Sequence, residues 1–250
     1  MKHLKNYISI LSMLLAMFLL TFASCTKEKS NTENVAENES ENGYEYVAHD
    51  LSGYNGPEYV DLGLPSGLKW ATCNVGANSP EEYGDYFAWG ETEPKEDYSW
   101  STYKYCNGDR YSLTKYCTDP YYGPVDNKTT LELKDDVARV NLGGKWRMPT
   151  AEEIDELIDK NNCTWTWTER RGVNGYKVTS KKNGNSIFLP AAGCRFYDEL
   201  YDAGGNGYYW SSSLISYDSS LAYYLGFDSS DVGRGSSARC FRRSVRAVCE

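Results

Sequence analysis

The sequence predicts an α+β fold in which two helices pack on short antiparallel sheets joined by long irregular loops. Three observations predict it. A sharply punctuated helix start stands mid-chain at Pro149-Thr150, strand-like segments separated by Gly- and Asn-rich turns lie on both sides of it, and a Tyr-rich stretch upstream has no periodicity. At the helix start, Pro149 ends any preceding helix, Thr150 is an N-cap, and Glu153 completes a capping box three residues on. Ala151, Ile154, Leu157 and Ile158 then recur on one face, with Glu152, Asp155, Glu156 and Asp159 on the other.

In chain order, Lys2 and Lys5 precede an apolar run from Ile8 to Phe22, and small residues Ala23-Ser24 stand directly before Cys25. The run is short for a bilayer core of about 30 Å and has the flanks of a secretory signal. Ending on Cys, residues 1–24 resemble a lipoprotein signal peptide with its lipobox, although Phe22 stands where Leu is usual. The resemblance implies acylation of Cys25, anchoring in the outer membrane at the cell surface or its periplasmic face, and a membrane partner reached through the lipid. Residues 25–56 then form an acidic tether; from Thr26 to Asn42, Val35 is the one sizeable apolar residue, too little to offset ordering. The folded domain is placed at 57–250.

Within it, Glu58–Gly63 and Leu68–Cys73 alternate apolar and polar residues around the turn Leu64-Pro65-Ser66-Gly67, an opening hairpin. Gly84–Gly90 reads as a short aromatic strand, and Glu91–Pro124 as irregular surface containing the repeated tripeptides Lys104-Tyr105-Cys106 and Lys115-Tyr116-Cys117. Leu133, Val137 and Val140 predict a first helix over about Leu131–Asn141, stopped at Gly143-Gly144. Later strands are predicted at Tyr176–Thr179, Ser186–Leu189, Gly207–Ser212, Ala222–Phe227 and Ser244–Val248, with hairpin turns at Lys182–Asn185 and Asp228–Gly235. Trp146 and Trp210 are expected to be buried.

Composition narrows the function classes. Net charge is −9, and without Lys2 and Lys5 the remaining 24 basic residues face 35 acidic ones, a balance of −11. Nucleic acid is excluded as a partner because no basic stripe is present. Seven cysteines follow Cys25, an odd number, and Cys106 with Cys117 is the pair expected to close a disulfide across a short polar loop. No Cys-x-x-Cys occurs and His49 is the one His after the signal, so neither metal nor cofactor is expected, and no nucleophile-His-carboxylate set is present. Adjacent carboxylates such as Asp135-Asp136 and Glu152-Glu153 point in different directions on a helix and read as solvated charge.

Trp146-Arg147-Met148-Pro149-Thr150 with Glu153, Leu189-Pro190-Ala191-Ala192-Gly193, Tyr209-Trp210-Ser211-Ser212-Ser213 and Arg243-Ser244-Val245-Arg246-Ala247-Val248 resemble the signature blocks of the Fibrobacter succinogenes major paralogous domain family. Val60–Ala71 resembles its opening block. The resemblance covers about Tyr59–Val248 and implies a C-type lectin-like, formylglycine-generating-enzyme-like fold in exported, lipid-anchored proteins of Bacteroidetes and relatives. It implies no established activity. The cysteine pair of formylglycine-generating enzymes does not map onto Cys194, Cys240 or Cys249, and Trp210-Ser211-Ser212 lacks the Asn-Asp that holds calcium in lectins. The expected function is therefore a non-catalytic binding or adhesion module for a glycan or surface protein; a structural surface component, or an enzyme related to formylglycine-generating enzymes, is the alternative. By its place in such folds, the loop Phe196–Gly207 is expected to engage the ligand through Tyr197, Asp198, Glu199 and Tyr201.

Overall fold

The computed structural model describes residues 57–250 apart from 197 and 198, all within the unit Tyr46–Glu250. The expected signal segment, the lipidated Cys25 and the tether lie outside the described residues, as do Tyr197 and Asp198. The architecture is α+β: three three-stranded antiparallel sheets, one two-stranded hairpin and two short helices among the described residues.

The opening hairpin forms as expected. β1 (Tyr59–Asp61) pairs antiparallel with β2 (Lys69–Asn74), placing Val60 opposite Trp70 across the Leu64–Gly67 turn. The last strand, β11 (Arg246–Cys249), lies on the other side of β2 with Val248 opposite Trp70, so the two ends of the domain share one sheet. A second sheet is formed by β3 (Cys163–Arg170), β4 (Val173–Ser180) and β5 (Ser186–Pro190). The β3–β4 hairpin closes through Arg171 and Gly172, both at positive φ, the backbone of the tight hairpin turn that matches strand twist. A third sheet is formed by β8 (Gly207–Leu214), β9 (Leu221–Phe227) and β10 (Val232–Ala238), with β9 in the middle. The turn expected over Asp228–Gly235 is shorter, because Val232 already pairs with Phe227 and Asp228 caps the turn by accepting from the amides of Ser230 and Asp231.

Two helices form, but the first differs from expectation. A single 3₁₀ turn, Leu133–Asp135, is followed by α1 (Val137–Leu142), with Asp136 extended between them at φ −91°, ψ 111°. The break has a physical reason: the buried Asp136 carboxylate accepts the Arg139 amide at 3.1 Å as the N-cap of α1, and the Met148 amide at 2.8 Å. The Leu133 and Val140 spacing that suggested one continuous helix is incidental, since both side chains are exposed. The second helix, α2 (Ala151–Ile158), has the expected capping box, with Thr150 Oγ1 accepting from the Glu153 amide and Glu153 Oε2 from the Thr150 amide. Arg147 adds a two-pronged ion pair to the same Glu153, each contact 2.7 Å. The Trp-Ser-Ser-Ser block completes this junction: Ser212 N–H donates to Pro149 O and Ser213 Oγ accepts the first helical amide, that of Ala151.

Two apolar clusters result. Ile154 and Leu157 of α2 pack with Leu62, Trp70, Val178, Leu189, Tyr209, Leu225 and Val248. The second cluster gathers Trp89, Tyr103, Tyr105, Tyr116, Trp146, Met148 and Trp210. Trp146 and Trp210 are buried as expected, each about 2% exposed or less.

The segment expected to be irregular surface is irregular, but most of its tyrosines are core. Tyr98, Tyr103, Tyr105, Tyr116 and Tyr122 are buried, leaving Tyr111 and Tyr121 exposed. The repeated tripeptide brings Tyr105 and Tyr116 edge to face, centroids 5.6 Å apart. Buried backbone without a sheet partner needs other donors. Tyrosine supplies them: the Tyr98 hydroxyl donates to Tyr86 O and that of Tyr103 to Trp89 O. The strand expected at Gly84–Gly90 is reduced to one bridge, Phe87 with Arg243, for the same reason.

All seven described cysteines are free thiols. The bridge expected between Cys106 and Cys117 is not formed; Cys106 Sγ donates to Trp100 O at 3.0 Å and Cys117 Sγ to Asp119 O at 3.1 Å. Each thiol is satisfied by a carbonyl of its own turn and packs beside Leu113 and Tyr122.

Candidate functional site

A cavity of about 380 Å³ opens beside the third sheet, and each wall comes from a different kind of element. One wall is the small hairpin β6 (Cys194–Phe196) and β7 (Glu199–Tyr201), in which Cys194 and Tyr201 lie opposite each other at the open end. Gly193 makes this hairpin possible. Its φ is +64°, and a Cβ there would sit 2.1 Å from Tyr201 O, so no side chain fits. Asp202 follows at φ +58°, with its carbonyl accepting the amides of Gly205 and Asn206, so the chain turns tightly back towards β8.

The second wall is the face of the sheet that carries Tyr208 on β8, Tyr224 on β9 and Ser237 on β10. The Tyr208 hydroxyl accepts from Asn206 Nδ2 at 3.0 Å and lies 3.4 Å from Asp202 Oδ2, a polar rim between hairpin and sheet. The remaining lining is Phe241, Arg242 and Arg243, on the segment that leads into β11. Arg243 is held rigidly, since its backbone exchanges two hydrogen bonds with Phe87 and its neighbour Ser244 accepts the Trp210 amide.

Arg243 is 7% exposed, and its guanidinium sits in an aromatic cage, 3.9 Å from the Tyr224 centroid, 4.8 Å from Tyr208 and 5.1 Å from Trp210. Its Nε and Nη1 are buried without a hydrogen-bond partner. Burial lowers its pKa, yet a guanidinium keeps its proton in any protein. Cation–π contact with a desolvated ring is worth about 2 kcal/mol, against several kcal/mol for burying an ion, so the cage offsets only part of the cost. Two other buried arginines of the segment, Arg239 and Arg246, differ. Arg239 donates to the Tyr103 hydroxyl and to the carbonyls of Tyr116, Ser219 and Lys115, and Arg246 donates to Asn74 and to the carbonyls of Ala71, Thr72 and Phe188. These two tie loops to strands; Arg243 has donors left over beside a cavity.

Burial pushes the Cys194 thiol upward, and the nearby Arg243 charge only partly opposes it, so the sulfur stays protonated at neutral pH. Burial likewise raises the Tyr208 phenol. No group of three or more His, Cys, Asp or Glu side chains placed to hold a metal ion is found among the described residues.

No family model, no curated protein and no solved structure matches the chain. The site rests on its own geometry.

Of the four residues expected to bind ligand, Tyr201 is placed at the cavity, 42% exposed on its rim. Glu199 lies in β7 opposite Phe196, and Tyr197 with Asp198 lie outside the described residues. The expected loop over Phe196–Gly207 is in part a hairpin. Sequence reasoning missed Arg243, Tyr208 and Tyr224. The signal available was the adjacent pair Arg242-Arg243 between Phe241 and Ser244-Val245, charges set next to apolar residues.

Proposed function

We propose that this chain is a lipid-anchored cell-envelope protein whose folded domain, of the Fibrobacter succinogenes major paralogous type and C-type lectin-like in architecture, is a non-catalytic binding module for a glycan or surface-protein ligand. The cavity around Arg243 carries the reading. It combines exposed aromatic surface with few, fixed polar groups, the usual makeup of a ligand site. Its one thiol is held protonated, which favours binding over nucleophilic chemistry. The α+β packing of two short helices on small antiparallel sheets is compatible with the family resemblance, and the Trp-Arg-Met-Pro-Thr and Trp-Ser-Ser-Ser blocks meet each other, as expected if they are one structural signature.

Two experiments test the proposal. The full chain and its Ser237→Trp variant, designed to fill the cavity from the edge strand β10, are applied to glycan and peptide arrays with and without calcium. Binding by the parent that Ser237→Trp abolishes supports the module; no binding to any array favours a structural surface component instead. For the anchor, Cys25→Ala should lose labelled fatty acid and leave the membrane fraction. Equal labelling of both forms refutes the lipid assignment.

A further inference from the structure

We infer that the cavity recognises a carboxylate carried on a sugar ring, a uronate, with Arg243 as the group that meets the carboxylate and Tyr201 as the wall on which the ring stacks. The inference rests on reading the cavity as a ligand site and adds the class of ligand. Arg243 contrasts with Arg239 and Arg246. Arg239 and Arg246 are as deeply buried as Arg243 and spend their donors on named oxygens, whereas Nε and Nη1 of Arg243 have none. The cage of Tyr208, Trp210 and Tyr224 engages the positive charge through ring faces and leaves its N–H donors unanswered. An acceptor with negative charge is what such a group lacks.

Charge selects the sign and size of the ligand. Among the described residues, the lining holds the buried Arg243 cation, whose Nε and Nη1 have no acceptor, in a chain of net charge −9. Anions are therefore repelled by the protein at large and favoured at this cavity. Asp202 at the rim disfavours a dianion such as phosphate more than a monoanion, and as an acceptor it suits a ligand that also donates hydroxyl hydrogens. Tyr201 and Phe241, 42% and 37% exposed, offer aromatic faces to the apolar side of a pyranose. A single carboxylate on a polyhydroxylated ring meets all three demands, and a volume of about 380 Å³ accommodates it.

The test uses the full chain purified in detergent, titrated calorimetrically with D-galacturonate, D-glucuronate, their methyl esters, galactose and inorganic phosphate. At least one uronate should bind, with its methyl ester and galactose weaker by about tenfold or more, since the ester keeps the ring and removes the charge. Tyr201→Ala, at an exposed position, should weaken uronate binding several-fold, and Arg243→Lys by about tenfold or more. The ester comparison needs no variant, so it stands even if Arg243→Lys fails to fold. Equal affinity for acid and ester would overturn the carboxylate assignment while leaving the cavity as a neutral-ligand site. Phosphate binding as tightly as the uronate would overturn the sugar assignment. A preference for acid over ester that survives both Tyr201→Ala and folded Arg243→Lys would overturn the location. Failure of every uronate, with array binding that Ser237→Trp abolishes, would overturn the uronate alone and leave the module reading intact.

Discussion

Replacing Tyr103 by Phe removes one oxygen atom from the centre of the Tyr-rich segment and leaves the ring in place. That ring keeps its edge contacts to Trp100 and Tyr105, with centroids 5.5 and 5.9 Å away, and the guanidinium of Arg239 remains 5.2 Å from its centre. What is lost is a donor to Trp89 O at 2.7 Å and an acceptor for Arg239 Nε at 3.0 Å, both fully enclosed. A hydrogen bond to a charged group is worth about 1.5–3 kcal/mol and a stranded buried carbonyl costs about 1–3 kcal/mol, so after partial relaxation the loss should be about 3 kcal/mol. Urea unfolding followed by tryptophan fluorescence measures it. With a slope of about 1–3 kcal/mol/M the midpoint should fall by about 1–3 M at unchanged slope. Tyr111→Phe, at an exposed ring, should stay within about 0.5 kcal/mol of the parent. A Tyr103→Phe protein within about 1 kcal/mol of the parent would refute the claim that tyrosine hydroxyls replace the missing sheet partners here.

Alkaline titration should destabilise the domain. Burial pushes the phenols of Tyr116 and Tyr209 up to about 12, above the value of about 10 in an unfolded chain, so the folded state holds protons that the unfolded state releases. Their contribution is complete below pH about 10 and lost as pH rises towards 12, at about 1.4 kcal/mol per pH unit for each group; a flat stability profile over that window would contradict it. Asp136→Ala removes the cap of α1 and strands the Met148 amide, which should cost about 2–4 kcal/mol in the same urea assay. Trp146→Ala should cost about 3–5 kcal/mol, and an exposed Trp146 indole in quenching experiments would count against its place in the core. Gly193→Ala puts a Cβ into Tyr201 O, so hydrogen exchange should quicken at the amides of β6 and β7 while those of α2 stay protected. Uniform exchange across both would mean that the hairpin does not depend on that close approach.

Local chemistry was legible in the sequence wherever it was self-contained. The capping box at Thr150 and Glu153, the turn over Leu64–Gly67 and most later strands follow from a few consecutive residues, and the structure has them where expected. β3 escaped notice although Thr164-Trp165-Thr166-Trp167-Thr168 alternates strictly, a signal available without any structure. The first helix failed for a different reason. Its spacing was incidental, with Leu133 and Val140 exposed, and Asp136 uses its carboxylate to cap α1 and hold Met148, a contact twelve residues away that spacing does not encode.

For the site, the sequence pointed to one rim residue, Tyr201, through the position of its loop in the folds the chain resembles and through the Tyr and carboxylate side chains that loop carries. Tertiary structure alone decided the rest. Tyr208, Tyr224 and Arg243 meet because β8 pairs with β9 and because Phe87, more than 150 residues upstream, clamps the Arg243 backbone. Nor could sequence tell the arginines apart. Arg239, Arg243 and Arg246 are the same residue in one short segment, and whether a guanidinium ties the fold together or faces a cavity with donors unspent depends on which carbonyls the distant chain brings within about 3 Å of it.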